Sequence, residues 1–244
     1  ELLTAASSII NDFNNLLGGI IGSISLLKYK YKGLNEDDEV FKYISIMDNA
    51  SNRAADLVKQ LLAIARKQDL VMTPVDLNNA INHVIKISKN TFDKSVDINY
   101  HLQDKPAVIN GDPIQIEQVL LNLCINAYHA MTVMRGENDV QGGTLTIDIK
   151  KIQSDELFQQ MHPSAHENTY WVITIEDTGI GMTKAVLERI FEPFFTTKKN
   201  TPVKGSGLGL SMVYNIVRDH GGFIDIQSEP NEGTVFHVYF PVYE

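Results

Sequence analysis

Two asparagines lie four residues apart on a stretch that the apolar spacing predicts to be a helix, residues 113–131. Asn122 and Asn126 therefore share one helix face with Ala130. Asparagine is disfavoured inside helices, so two of them on one face of an otherwise apolar helix need a reason. Side-chain amide oxygens are hard ligands that suit Mg²⁺, which indicates a metal-binding helix. The alternative is that both are ordinary asparagines on a helix surface.

A carboxylate stands at the end of the predicted strand "TYWVITIED", residues 169–177. Asp177 closes that strand, and Gly179 and Gly181 follow it. A carboxylate in this place can accept a hydrogen bond from an exocyclic amine such as that of adenine, and the glycines let the backbone approach a flat ring closely. The alternative is an ordinary Asp-Thr-Gly turn.

The stretch "IFEPFFTTKK" combines three phenylalanines with two threonines and two lysines, which is unusual for an exposed loop. The aromatic side chains would fasten the segment to the core, and the polar ones, among them Thr196 and Lys198, would face phosphates. The alternative is a hydrophobic anchor with a solvated lysine pair. His129, one turn beyond Asn126, would approach a phosphate or a metal-bound water, or else be a helix-surface histidine.

A glycine-rich stretch, "KGSGLGLSMVYNIV", leads into a helix predicted over residues 207–219. Gly205, Gly207 and Gly209 would present backbone N–H groups, and a helix N-terminus favours anions. About two dozen residues with scattered lysines separate this stretch from "EDTGIGM". A segment of that length and charge suits a lid over a bound nucleotide.

These four stretches, in this order, resemble the ATP-binding domain of sensor histidine kinases, within the wider GHKL ATPase superfamily. "NLCINA" resembles the N box, "DTGIGM" the first glycine box, "FEPFFTT" the F box and "GSGLGL" the second glycine box. "NEGTVFHVYFP" is similar to the final strand pair of that domain. The resemblance covers essentially the whole chain.

The resemblance implies a Bergerat-type ATP site that uses Mg²⁺. Asn126 would hold the metal with Asn122 beside it, while Asp177 would bind the adenine amine near Thr234. The segment between the two glycine boxes would cover the phosphates. The complete nucleotide-binding set implied in this way is Asn122, Asn126, His129, Asp177, Gly179, Gly181, Thr196, Lys198, Gly205, Gly207, Leu208, Gly209, Leu210 and Thr234, with Asn126 as the metal ligand.

Residues 1–70 are predicted to form a helical hairpin, followed by the ATP-binding domain at residues 71–244. Apolar residues recur three or four apart in both halves of the hairpin, and "KGLNEDDE" supplies the turn. Two such helices cannot bury all their apolar stripes against each other. We therefore predict a homodimer in which two hairpins form a four-helix bundle. The alternative is that the hairpin packs on its own second domain.

The first hairpin helix departs from the family at one position. "NDFNNLLGGIIGSISLL" is similar to the dimerisation helix that usually reads HDFNNLL, so Asn11 falls on the position of the phosphate-accepting histidine. The lone pair of an amide nitrogen is delocalised into the carbonyl, so it cannot attack the γ-phosphorus as an imidazole does. Asp12 would be the base beside the acceptor. We predict that the chain binds Mg-ATP but does not phosphorylate itself, whether Asn11 is natural or engineered.

A scaffold or a response-regulator phosphatase is the main alternative to a kinase. The resemblance gives Asp12 and Asn15 a role in positioning water for dephosphorylation, which does not require the histidine. In both cases the expected partner is a response-regulator receiver domain. Mismatch-repair, topoisomerase and chaperone ATPases of the superfamily generally carry a water-activating glutamate where this chain has Asn122. A protein serine kinase of the same superfamily fits the hairpin less well.

Composition narrows the class of protein further. The chain has 244 residues, a formal net charge of −9 and one cysteine, Cys124. This charge argues against a nucleic-acid partner, and a single cysteine excludes an internal disulfide framework. No apolar run of about 18 residues is present, so we expect no membrane contact by this fragment. We expect a piece of a longer protein in the cytoplasm, either free or as part of a membrane-bound sensor.

The predicted fold class is α+β, with a dimeric helical bundle followed by an α/β sandwich around a mixed or antiparallel sheet. Alternating β-branched and aromatic residues predict five strands, and three-to-four spacing predicts three helices beyond the hairpin. The strands are expected at 95–102, 143–152, 169–177, 222–229 and 233–242, and the helices at 76–90, 113–131 and 207–219. The polar stretch "QSDELFQQMHPSAHEN" is predicted to be an irregular surface loop.

Overall fold

A computed structural model describes residues 18–31, 39–41, 43–48, 51, 71–136, 141–163, 165, 169–198 and 205–243. The chain divides into two compact units, Glu1–Asp69 and Leu70–Glu244. The predicted acceptor position Asn11 and its neighbours Asp12 and Asn15 lie outside the described residues. Within the described part of the chain, no helix has both the length and the apolar character needed to cross a membrane.

The first unit contains helical residues 18–30, named α1, and helical residues 39–41, 43–48 and 51, together named α2. Lys28 on α1 forms an ion pair with Asp48 on α2, with 2.5 Å between Nζ and Oδ2. Ile24 is buried, but other large apolar side chains of this unit stay exposed, including Tyr29 at 79% and Ile46 at 61%. The described parts of these two helices therefore carry much exposed apolar surface.

The second unit is built on a five-stranded sheet with the order β2-β4-β5-β7-β6. β2 pairs with β4 in parallel, and the other neighbours are antiparallel, so the sheet is mixed. All five strands predicted from alternation are present, with ends within one or two residues of those expected. The strands are β1 Thr73–Asp76, β2 Val96–His101, β3 Val108–Gly111, β4 Gly143–Gln153, β5 Thr169–Asp177, β6 Phe223–Glu229 and β7 Gly233–Pro241.

Three helices cover one face of this sheet, in agreement with the predicted sandwich. The second unit contains α3 Leu77–Thr91, α4 Pro113–Met131, α5 Glu156–Met161, α6 Lys184–Leu187 and α7 Gly209–Asp219. Alternate residues of the central strands, such as Leu145, Ile173 and Val238, join buried residues of α3, α4 and α7 in one core. The residues between them, such as Tyr170 and Tyr239, face the opposite side and form a smaller cluster with Phe158.

Several features of the second unit were not predicted, among them the short helix α6. β1 and β3 pair as a separate two-stranded antiparallel sheet. The prediction of an irregular loop at residues 153–168 is wrong in part, because Glu156–Met161 is helical. Asp155 caps that short helix by accepting a hydrogen bond from Phe158 N–H at 2.8 Å, and the Phe158 ring packs 5.8 Å from that of Tyr239. Local capping and one aromatic anchor thus order a polar segment.

Candidate nucleotide-binding site

Helix α4 positions the two asparagines of the N box. Asp112 begins the helix by accepting hydrogen bonds from the backbone N–H groups of Ile114 and Gln115, and Pro113 follows at the first helical position. One face of α4 is buried in the core by residues that include Leu120, Leu123, Cys124 and Ala127. Asn122 and Asn126 are only partly buried, so their amides lie beside the core and are accessible from its edge.

Asp177 and Thr234 are brought together by strand pairing. They face each other as register partners at the ends of β5 and β7, although 57 positions separate them along the chain. Both are buried, at 5% and 4% exposure. Asp177 Oδ1 accepts a hydrogen bond from Gly179 N–H at 2.8 Å, and Thr234 Oγ1 lies 3.0 Å from Ser228 Oγ. The carboxylate and the hydroxyl therefore form one polar end of the sheet.

The first glycine box joins this polar end to helix α4. The backbone N–H of Ile180 donates to Ala130 O at 3.2 Å. A Cβ on Gly179 would lie 2.6 Å from the Ala130 methyl group, so only glycine permits this approach. Gly181 has a φ of +62°, and a Cβ there would lie 1.9 Å from the backbone oxygen of Glu229. The glycines of the first glycine box thus allow its backbone to pack closely against helix α4 and against the end of strand β6.

Burial changes the acidity of Asp177. It raises the pKa of that carboxyl to about 6, while hydrogen bonds from the backbone of Gly179 and Thr234 and the nearby Arg135 guanidinium act in the opposite direction. Arg135 is held there by a hydrogen bond from Nη2 to Thr178 O at 2.6 Å. Burial destabilises the charged form of this carboxylate. A hydrogen-bond donor added by a ligand would therefore stabilise it more than it would stabilise an exposed carboxylate.

Lys198 reaches from the F-box segment to the N-box helix. Its ammonium group donates to Asn126 Oδ1 at 3.1 Å and to His129 Nδ1 at 2.9 Å. Its own backbone N–H donates to Thr196 Oγ1 at 3.1 Å. Partial burial lowers the pKa of Lys198 to about 8; burial, and then the charge of Lys198, lowers the pKa of His129 to about 4. His129 is therefore neutral at pH 7 and accepts through Nδ1.

The second glycine box lies against the same groups. The backbone N–H of Phe194 donates to Gly207 O at 2.9 Å, and both residues have left-handed backbone conformations, with φ of +67° and +71°. A Cβ on Gly205 would lie 2.8 Å from Thr196 Oγ1, and one on Gly209 would lie 3.5 Å from Asn122 Oδ1. The described ends of the F box and of the second glycine box thus meet beside the N box.

Residues 111–244, more than half of the chain, match the family described as histidine kinase-, DNA gyrase B-, and HSP90-like ATPases. The chain belongs to this ATPase family. The match begins at the end of β3 and covers α4, the five-stranded sheet from β4 onward, both glycine boxes and the F box. It supports the mixed sandwich and the ATP-binding function expected from the sequence.

Several proteins similar to this chain are named as sensor kinases or histidine kinases. The sensor kinase CckA of Brucella abortus (strain 2308) is 37% identical over 236 residues, which are 97% of this chain but 24% of CckA. Full-length ShkA in complex with AMPPNP has the same fold, with a TM-score of 0.73 and 21% identity over 98% of this chain and 46% of that chain. This chain spans less than half the length of these two proteins.

A third protein is similar along the whole chain. Histidine kinase ThkA, in a structure with the response regulator protein TrrA, is 26% identical, with a TM-score of 0.60 over 100% of this chain and 61% of that chain. ThkA and CckA are kinases by name, and ThkA binds a response regulator.

The donor set of this ATPase fits Mg²⁺ at Asn126. Its amide oxygen accepts a hydrogen bond from the Lys198 ammonium group, so the oxygen faces a neighbouring donor as a ligand oxygen would face a cation. Among the described residues, no group of three or more His, Cys, Asp or Glu side chains is arranged to hold a metal. Mg²⁺ commonly takes few ligands from a protein and the rest from substrate phosphates and water, which agrees with a single amide.

Two further residues of the predicted nucleotide-binding set, both leucines, are packed against the protein interior. Leu208 is fully buried at the start of α7, so any contact with a nucleotide would come from its backbone, and Leu210 packs partly against the main core. The sequence analysis missed His220, which is buried at the end of α7. Its Nδ1 lies 2.7 Å from Ile216 O, and its Nε2 accepts from the backbone N–H of Asp112 at 2.9 Å. This bond fixes the start of α4, and no local pattern predicts it because it joins residues 108 positions apart.

Proposed function

We propose that this chain is the ATP-binding core of a two-component sensor histidine kinase that binds Mg-ATP but does not phosphorylate its own hairpin. The usual reaction of such a core is transfer from ATP to a histidine and then to an aspartate of a response regulator. The observation that carries the ATP half is the convergence of Asp177 and Thr234 with the first glycine box on helix α4. The missing half is the acceptor, because residue 11 is asparagine.

In this proposal the polar end of the sheet binds the base and the N box binds the metal and phosphates. The Asp177 carboxylate accepts from the exocyclic amine of adenine, with Thr234 beside it. Asn126 would hold Mg²⁺, which would offset the charge of the phosphates, and Lys198 and His129, which lie beside Asn126, would contact the phosphates. Glycines of the second box give backbone N–H groups and the N-terminus of α7 to the anionic phosphates.

The chain works as a homodimer in this proposal, since α1 and α2 leave large apolar side chains exposed. Tyr29, Leu26 and Ile46 are more than 60% exposed in the single chain. A second hairpin would cover such residues in a four-helix bundle. Its location is the cytoplasm, and its partners are a second copy of the chain and a response-regulator receiver domain rather than nucleic acid.

A titration with a fluorescent ADP analogue and Mg²⁺ tests the ATP half. We expect Asp177→Asn to weaken binding by about tenfold to a hundredfold, because the new amide group presents N–H donors where a charged acceptor is needed. Asp97→Asn is the matched control, since Asp97 is an exposed carboxylate on edge strand β2. Binding that is equal in both variants, or absent from the unmodified chain, would refute the proposed site.

A response-regulator phosphatase or scaffold remains the second candidate, because Asp12 and Asn15 are present without the histidine. Incubation with a phosphorylated receiver domain distinguishes it. Under this alternative the chain accelerates loss of the phosphoryl group, and Asp12→Ala and Asn15→Ala slow it while leaving nucleotide binding unchanged. If the chain retains the receiver domain but does not accelerate loss of the phosphoryl group, only scaffolding is left.

A further inference from the structure

The side chain of Lys198 connects the F-box segment to the metal-binding residue of the N box. Its ammonium nitrogen lies 3.1 Å from Asn126 Oδ1 and 2.9 Å from His129 Nδ1. The two acceptors lie one turn apart on α4, so they hold the ammonium on the face of the helix that carries the N box. The lysine backbone is fixed in turn by the bond from its N–H to Thr196 Oγ1.

This arrangement places one positive charge on the oxygen to which a second cation is assigned. Mg²⁺ requires short, nearly octahedral contacts of about 2.0–2.1 Å to its oxygens. An ammonium group held at hydrogen-bonding distance on the same amide oxygen would lie within a few ångströms of the metal. The two positive charges repel each other in a partly buried site, where screening by water is weak.

We propose that Lys198 and Mg²⁺ compete for Asn126, so that the ammonium group must leave Oδ1 before the metal binds there. This inference rests on the proposed ATP site. The Lys198 ammonium group, which contacts the amide oxygen and His129, would have to give up the first of these contacts for Asn126 to hold Mg²⁺, and it would then pair with phosphate oxygens. The Thr196 bond keeps the lysine at the site during that exchange.

The competition gives Lys198 two opposite effects, which separate it from a simple phosphate ligand. As the resident cation it supports nucleotide binding in the absence of metal, so its removal weakens that binding. As a competitor it raises the Mg²⁺ concentration needed for metal-dependent binding, so its removal lowers that concentration. The second effect depends on the amide oxygen of Asn126 and disappears when that oxygen is removed.

The test is a double-mutant cycle with the full chain, using a fluorescent ADP analogue as the probe. Binding is measured in EDTA and across a Mg²⁺ titration for the unmodified chain, Lys198→Met, Asn126→Ala and the double variant. We expect Lys198→Met to weaken binding in EDTA and to lower the half-saturating Mg²⁺ concentration about fivefold in the Asn126 background, with no such shift in the Asn126→Ala background. Lys86→Met, at an exposed lysine of α3, is the matched control.

Each result has a distinct meaning. An equal shift in both backgrounds, or no shift in either, would overturn the competition, since Lys198 would then act only on phosphates. An unmodified chain that binds no nucleotide at any Mg²⁺ concentration would overturn the proposed ATP site and this inference with it. Melting curves of all variants by circular dichroism show whether the fold is retained, and Lys198 lies in a loop outside the main core.

Discussion

Glycines in the two units of the chain have different surroundings. In the ATP-binding unit, a Cβ on Gly181 would lie 1.9 Å from the backbone oxygen of Glu229, and one on Gly233 would lie 1.9 Å from that of Asp177. In helix α1, by contrast, a Cβ placed on Gly19 or Gly22 would meet no described atom within 4 Å apart from the adjoining residues and the backbone of the helix itself. The packing of the ATP-binding unit requires the first group, and no contact among the described residues requires the second.

This contrast separates two reasons for which a sequence keeps glycine. Glycine inside a helix costs up to about 1 kcal/mol relative to alanine, and nothing in the described part of α1 offsets that cost. Close approach of a partner, such as the proposed receiver domain, would explain why helix α1 carries glycines. Substitutions in the two units are therefore expected to have effects of opposite sign.

The largest effect is expected for Gly181→Ala in the ATP-binding unit. The new methyl group would overlap a backbone oxygen of β6, and a φ of +62° is strained for alanine. We expect a loss of at least about 2 kcal/mol of stability, or roughly 4 °C or more in melting temperature. Thermal unfolding followed by circular dichroism measures it. A melting temperature equal to that of the unmodified chain would remove the packing argument for the first glycine box.

A smaller effect, of the opposite sign, is expected for Asp177→Asn. Because burial raises the pKa of Asp177 to about 6 from 3.8, the folded state binds the proton more tightly than the unfolded state does. The stabilising contribution is complete below pH 3.8 and is lost as the pH rises through about 6. At pH 7.5 the variant should be more stable by about 1–3 kcal/mol, because the ionised buried carboxylate is gone.

Melting temperatures measured from pH 4 to pH 8 check this sign. The difference between the variant and the unmodified chain should grow through pH 6, while nucleotide binding by the variant is weakened. A difference in melting temperature that is independent of pH would mean that burial does not destabilise the charged form of the Asp177 carboxylate. Asp97→Asn, on the exposed edge strand, should show no such trend.

The smallest effect is expected for Gly19→Ala and Gly22→Ala in the hairpin. Both positions are exposed on α1. Each alanine should stabilise the helix by up to about 1 kcal/mol, which would appear as higher helicity and melting temperature in circular dichroism. Lower stability in either variant would show that the hairpin itself needs these glycines. If stability rises while binding of a receiver domain falls, the external requirement is supported.

Most of the second unit could be predicted from local patterns. Alternation gave β5 and β7 nearly to the residue, because every second side chain in each enters one core. Strands β1 and β3 were missed because four residues are too few to show a period, and Pro74 stands inside β1. The short helix at Glu156–Met161 was missed because its anchor, Phe158, packs on residues of β6 and β7 far along the chain.

The candidate site was predictable by residue type rather than by geometry. The spacing of Asn122 and Asn126 places them on one helix face, and that holds in the structure. The pairing of Asp177 with Thr234 depends on the register of two strands and was expected only through the family resemblance. The contact of Lys198 with His129 depends on the path of a loop, which no periodic pattern encodes.

The most direct test of the division between an intact ATP half and a lost acceptor uses γ-labelled ATP and Mg²⁺. The unmodified chain and Asn11→His are incubated with it, and acid-labile, alkali-stable label on the protein is measured. Asn14→His, with a histidine introduced three residues further along the sequence, is the control. We predict label on Asn11→His alone. Label on the unmodified chain, or on no variant at all, would contradict this division.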